Sequence, residues 1–339
     1  MANSIRIAVD AMGGDRGPRD VVVALLNSLR KHTNVSALLF GDRDILQAEL
    51  NLCADQSLCS RIEIHHSNKV VATTDKPSVS MRRQRDTSMG MALASVSSGQ
   101  ADACISAGNT AMLMALGLLE LKMLPGISRP AICTTVPTTR TPSYILDLGA
   151  NVQCSALQLA EFALLGSLAV SVLDGIDAPT VRLLNVGEES SKGNETVQQA
   201  AELLSIDSRV NYCGFIEGDG IFEGLADVVV CDGFIGNVAL KSSEGVARMI
   251  RRLIVELFRS SRLGRVAGFL LAKPLRELEN RLDPGCHNGA YLLGLNGVVV
   301  KSHGDADCLA FANAIDVAID AAKLNLPATL RPKLQALSE

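Results

Sequence analysis

The chain has 339 residues, 47% of them hydrophobic, and a net charge of −4. This is ample material for one large core or two packed lobes, and it excludes a nucleic-acid binder held by phosphate contacts. Trp is absent and aromatic residues make up 3%, so the rings on which bases stack are missing as well. Nine cysteines stand singly, mostly in apolar runs and never as CxxC, the pattern of buried free thiols in a reducing compartment.

The opening IRIAVDAMGGD has no basic segment followed by an apolar core and a cleavage site, so no secretory signal is read. The longest apolar stretch is taken as AMLMALGLLEL (111–121), short of the ~20 residues a membrane span needs. A cytoplasmic, soluble chain is the expectation.

Strand-like β-branched runs fall at 5–9, 35–40, 61–65, 103–106, 131–136, 144–148, 181–186, 210–213, 227–231 and 298–301. Helical periodicity fills several of the gaps. Met89, Ala92, Leu93 and Val96 share a face and Gly99 stops them. A helix over 157–173 opens with a capping box, Ser155 with Gln158. Strands alternating with helices predict an α/β fold with a mostly parallel sheet. No repeat or linker divides the chain, so 1–339 reads as one two-lobed catalytic unit.

Five of the strands run into polar loops that carry glycine: VDAMGGD (9–15), ISAGNT (105–110), LDLGAN (146–151), LNVGEESSKGNE (184–195) and CDGFIGN (231–237). At the carboxyl ends of parallel strands such loops line the ligand crevice. Their glycines let backbone N–H groups approach an anion. Neither GxGxxG nor GxxxxGK[ST] occurs, which favours a smaller anion such as free phosphate over a nucleotide. Lys192 stands just ahead of a helical pattern, where its ammonium can meet an anion at the helix start. Asn237 offers an amide donor to a developing oxyanion, or alternatively a helix N-cap.

Histidines at 32, 65, 66, 287 and 303 show no metal-binding or triad spacing, so no metal is expected; His303 reads as structural. Cys231 and Ser106 are rival nucleophiles, but neither has a histidine partner in sequence. Residues 243–276 form an amphipathic basic helical segment. From 248 to 276 it carries eight basic residues and one acid. Such a segment suits an anionic membrane surface or a dimer contact. A second basic cluster, SMRRQRD (80–86), is a candidate docking patch for an acidic partner or a phosphate site.

The motifs IAVDAMGGD, ACISAGNTA, LDLGANV, KGNE, VCDGFIGNVALK and NGAYLLGLNGVVVKSHG together resemble the phosphate acyltransferases of bacterial phospholipid synthesis. They stand in that family's order from residue 5 to 304. The resemblance implies a three-layer fold similar to the isocitrate and isopropylmalate dehydrogenases and to phosphotransacetylases. It implies transfer of a fatty acyl group from acyl–acyl carrier protein to inorganic phosphate, without a cofactor, by direct phosphate attack on the thioester. The acyl phosphate would feed a downstream glycerol-3-phosphate acyltransferase. A homodimer, peripheral at the inner face of the cell membrane, is implied as well. Carried over, the resemblance makes Lys192 and Asn237 the catalytic pair. It makes Gly13, Gly14, Asp15, Gly108, Asn109, Thr110, Asn151, Gly193, Asp232 and Gly236 the pocket that binds substrate and phosphate. One departure stands out: the family usually has Gly after GNT, and this chain has Ala111. The alternatives are an acyl-CoA phosphotransacetylase and a non-catalytic scaffold that holds acyl carrier protein.

Overall fold

The computed structural model describes residues 4–335 except 73, 76 and 78. Side chains are described within that range apart from those of 79, 80, 82, 83, 262–264, 279–282 and 284. Eleven strands form one sheet: β1 Ile5–Asp10, β2 Val35–Gly41, β3 Ile62–His66, β4 Ala103–Ser106, β5 Ala131–Val136, β6 Ser143–Leu146, β7 Thr180–Leu184, β8 Asn211–Ile216, β9 Val228–Val230, β10 Ala290–Leu293 and β11 Val298–Lys301. The helices are α1 Pro18–Lys31, α2 Arg43–Asn51, α3 Gln56–Cys59, α4 Ser88–Ser97, α5 Thr110–Leu121, α6 Ala156–Leu173, α7 Glu195–Ser205, α8 Gly220–Glu223, α9 Gly233–Arg259, α10 Arg262–Leu270, α11 Ala272–Leu282, α12 Cys308–Lys323 and α13 Leu326–Gln335.

The strand order is β3-β2-β1-β4-β11-β10-β5-β6-β9-β7-β8. One block, β3 to β11, is parallel throughout. So is the other, β6-β9-β7-β8. Between them lie three antiparallel pairings, β11–β10, β10–β5 and β5–β6. An odd number of reversals makes the two blocks run in opposite senses. The sheet is mostly parallel, as the alternation of elements predicts, but its carboxyl ends do not share one edge.

Both faces of the sheet are covered, as parallel blocks require. Along β1, Ile7 and Val9 enter one core with α1, α6, α12 and α13, while Ala8 enters the other with α4 and α5. Along β9, Val228 and Val230 go one way and Val229 the other. This alternation in two buried strands gives the three layers.

Local chemistry accounts for several boundaries. The Ser155 hydroxyl and Gln158 close a reciprocal capping box at the start of α6. Among the described residues α6, rather than 111–121, is the helix long and apolar enough to cross a membrane by composition, and half of it is buried. Inside the fold it packs on β6, β7 and β9. The strand expected at 210–213 runs on to Ile216, because a register irregularity opposite Val181 and Leu183 accommodates Gly214 at φ +85°. β10 was not expected at all. Its residues AYLL lack a β-branched signature, and long-range pairing with β5 and β11 makes them a strand.

Candidate active site

The loops after β1, β4 and β11 pack into one group. Asp10, 1% exposed, accepts a hydrogen bond from the Ser106 hydroxyl at 2.6 Å. Burial raises its carboxyl above the ordinary value, although Ser106 and Ser88 hydroxyls and the Met12 and Gly13 amides oppose the shift. A Cβ at Gly13 would lie 2.6 Å from the Asp10 carboxylate and 2.7 Å from the Gly108 nitrogen, so the loops meet backbone to backbone. Gly14 sits at φ +97°, and the Asp15 amide donates to the Gly304 carbonyl at 2.7 Å. Asn109 caps α5 by accepting from the Met112 amide, and its own amide reaches the Asp75 carbonyl. Thr110 and Ala111 are the first two helical residues, so the departure at Ala111 falls in the opening turn of α5.

Lys301 ends β11 inside this group. Its ammonium donates to the carbonyls of Ala107 and Ser302. Burial pushes its pKa down from 10.5 to about 8. The charge of Lys241 adds to this, while Asp15 and Asp10 oppose it.

The loops after β6 and β9 form a second group around Asp147, which is fully buried. Its carboxylate accepts from the amides of Ile132, Gly149, Ala150 and Asn151 and from the Asn151 side chain, at 2.6–3.2 Å. Desolvation still raises its pKa. The second hydrogen bond of the Asn151 side-chain amide goes to the Pro130 carbonyl. α9 lands on this loop. Asp232 is its N-cap, accepting from the Ile235 amide at 2.8 Å, and the Gly233 amide donates to the Asn151 carbonyl. A Cβ at Gly236 would fall 2.0 Å from the Asp147 carbonyl oxygen. Gly236 therefore serves a close helix–loop approach. Asn237 is not the N-cap: it is the fifth helical residue, exposed, and it stands over Gly149.

Lys192 and Gly193 lie in the loop after β7, which pairs with β9. Gly193 sits at φ +92°, and Asn194 caps α7. The Lys192 carbonyl accepts from the Asn185 side chain, while its exposed ammonium has no ion pair among the described residues.

α9 connects the groups. One turn beyond Asn237, Lys241 Nζ lies 2.6 Å from His303 Nε2, in the loop after β11. His303 Nδ1 lies 2.5 Å from Asp305, and Lys241 also pairs with Glu244 at 2.9 Å. Thus the expected residues fall in three clusters, and the contact that ties two of them uses Lys241 and His303. Lys241 was not singled out by sequence reasoning, and His303 was read as structural. Lys241 closes the motif VCDGFIGNVALK, four residues after Asn237; helical spacing alone places it on the same face.

The rival nucleophiles are closed off. Cys231 is 4% exposed, its thiol points at the Asp147 carbonyl, and burial holds its pKa well above the ordinary value. Ser106 is fully buried and donates to Asp10. Among the described residues no group of three or more His, Cys, Asp or Glu gathers as a metal centre would. Arg82 and Arg83 of the second basic cluster lie outside the described side chains, and Arg85 pairs with Glu120 at 2.5 Å. A concavity of about 460 Å³ at the β3 edge, lined by Arg43, Gln47 and Glu63 among others, shares no residue with these loops.

Two solved phosphotransacetylases share the fold. The EutD enzyme of Staphylococcus aureus matches with a TM-score of 0.59 at 17% identity, covering 95% of this chain and 96% of its own. That of Streptococcus pyogenes matches with a TM-score of 0.60 at 18% identity, covering 94% of each. The family profile described as "Fatty acid synthesis protein" matches residues 5–329. The phosphate acyltransferase of Nitrosococcus oceani is 50% identical, over 98% of this chain and 97% of its own length. That of Halorhodospira halophila is 46% identical over 99% and 98%. A chain this similar from end to end belongs to the phosphate acyltransferase family, the acyltransferases of fatty acid and phospholipid synthesis.

Proposed function

We propose that this enzyme transfers a fatty acyl group from acyl–acyl carrier protein to inorganic phosphate, releasing acyl phosphate and free carrier. The observation that carries the reading is α9. It sets an amide, Asn237, and an ammonium, Lys241, on one face, between a glycine-bearing loop and the loop after β11. An amide donor beside a carbonyl, with a cation on the same helix face, suits phosphate attack on a thioester.

Phosphate is largely dianionic near neutral pH, by analogy with phosphate monoesters, and needs positioning more than a base. Lys192 holds it, helped by backbone amides of the loops that contain Gly13, Gly14, Asp15, Gly108, Asn109, Thr110 and Gly193. Asn237 polarises the thioester carbonyl, with Asn151, Asp232 and Gly236 fixing its helix. The closed environments of Cys231 and Ser106 favour direct transfer without an acyl-enzyme. No cofactor takes part. The acyl phosphate then serves a glycerol-3-phosphate acyltransferase.

The chain works in the cytoplasm as one catalytic unit. The segment 243–276 meets either an anionic membrane or a second copy of the chain. In support, Leu253, Leu257, Phe269 and Leu270 are 56%, 67%, 82% and 74% exposed, and Arg248, Arg251 and Arg252 lie among them.

The test is phosphate-dependent release of free carrier from long-chain acyl–acyl carrier protein. The native protein should release carrier with phosphate and not without it, and Lys192→Ala should lose the activity. Release that ignores phosphate would overturn direct attack. Faster turnover of the CoA thioester than of the carrier thioester would overturn the donor.

A further inference from the structure

The acyl-transfer reading leaves one chemical need unassigned: a proton for the sulfur that departs. The geometry points to Lys241 as the catalytic acid that protonates the leaving thiolate, with His303 and Asp305 as the residues that position it.

The hydrogen-bond count supports this. A lysine ammonium has three donors and no acceptor. One faces Glu244 at 2.9 Å and one faces His303 Nε2 at 2.6 Å. The third has no partner among the described contacts, and the side chain is 44% exposed. Because an ammonium cannot accept, Nε2 must, which assigns the imidazole proton to Nδ1, facing Asp305 at 2.5 Å. The neighbouring charges are Arg248, which also meets Glu244 at 3.6 Å, and Lys301 with Asp15 from the β1 and β11 side. Lys241 follows Asn237 by one turn, with Cβ atoms about 6 Å apart on the same face. Two side chains at that spacing reach the oxygen and the sulfur of one thioester.

The step balances. An oxygen of hydrogen phosphate attacks the carbonyl carbon, the C–O bond forms, and charge develops on the carbonyl oxygen beside Asn237. Collapse breaks the C–S bond, and its electron pair leaves on sulfur. Lys241 Nζ gives a proton to that sulfur, yielding the thiol. The proton that hydrogen phosphate brought is lost from the acyl phosphate and returns to Lys241. No external acid, base or oxidant is consumed.

The experiment compares kcat and KM for phosphate-dependent cleavage of acyl–acyl carrier protein in the full-length native protein, Lys241→Ala, His303→Ala and His303→Gln. Loss of a general acid predicts a kcat lower by roughly 100-fold in Lys241→Ala, with KM for phosphate and carrier within about twofold of native. Added ethylammonium should restore part of that rate, which a misfolded protein would not show. His303→Ala should lower kcat roughly 10-fold, and His303→Gln, whose amide oxygen can replace Nε2 as acceptor, should recover most of it. An unchanged kcat, a raised KM for phosphate at native kcat, a loss without amine rescue, or a flat response at His303 each overturns the proposal. Native protein that cleaves no thioester with phosphate overturns instead the acyl-transfer reading on which it rests.

Discussion

Gly236→Ala tests whether the seating of α9 on the Asp147 loop controls the chemistry. The added Cβ would lie 2.0 Å from the Asp147 carbonyl oxygen and 2.8 Å from Cys231 Sγ, where ordinary contact begins at 3.4 Å. The first turn of α9 must therefore retreat by about 1.4 Å from a backbone atom that cannot swing aside. Overpacking of this kind costs about 1–3 kcal/mol. The change from Gly to Ala inside a helix returns about 1 kcal/mol. The net expectation is a loss of about 0–2 kcal/mol, measured by urea unfolding. Activity should suffer more, because Asn237 adjoins the displaced turn and Lys241 follows one turn further along the same helix. A misplacement of about 1 Å can cost on the order of 100-fold in rate, read as kcat/KM for phosphate-dependent cleavage. Gly245→Ala, in the same helix with no atom within 4 Å of the added methyl, is the control. It should gain up to about 1 kcal/mol and keep native activity. Gly236→Ala with native stability and native rate would refute the argument that this contact fixes the site.

Cys231→Ala should retain most of the activity and lose about 1 kcal/mol, since a buried thiol is removed and no nucleophile is; abolished turnover in a folded variant would reopen the covalent route. Lys301, with its pKa lowered from 10.5 to about 8, makes stability depend on pH. Between those values the unfolded chain holds more protons than the native one, so the Lys301 contribution makes stability rise with pH across that window, by at most roughly 3 kcal/mol. Lys301→Met should lack that rise in urea midpoints compared at pH 7.5 and 10, and identical slopes for native and variant would refute the burial argument. Phe269→Glu should reduce cosedimentation with phosphatidylglycerol vesicles; unchanged sedimentation would argue against a membrane role for the tip.

Strands that are buried on both faces were legible to the residue, as with Ala103–Ser106, Ala131–Val136 and Val298–Lys301, because short apolar runs bounded by polar or glycine-bearing loops leave little choice. The capping box at Ser155 was equally legible, being a local pattern. What sequence reasoning missed depends on partners far along the chain. Ala290–Leu293 becomes a strand through β5 and β11. The reversal between the two parallel blocks follows from those same pairings, and without it five strand ends seemed to share an edge. For the candidate site, motif order pointed to the loops. It did not reveal that Asn151 and Asp232 spend hydrogen bonds on holding backbone, or that Lys241 meets His303 across a sequence separation of 62 residues.

That contact gives the first turns of α9, from Gly233 to Lys241, a physical reason. The site loops belong to blocks of opposite sense, so no single strand edge can carry them all, and a rigid rod from one block must reach the other. At about 100° per residue, Asn237, Lys241, Glu244 and Arg248 fall within one narrow stripe. Val246, Met249, Ile250, Leu253 and Leu257 fall on the opposite side, and that side is exposed. Gly233 and Gly236 bring the start of the rod against the Asp147 loop, closer than any side chain would permit. One helix thus has its start fixed by glycine, a polar stripe that meets the loop after β11 and an exposed apolar stripe on the opposite side. A surface that covered the apolar stripe would bear on the same rigid element that carries Asn237 and Lys241.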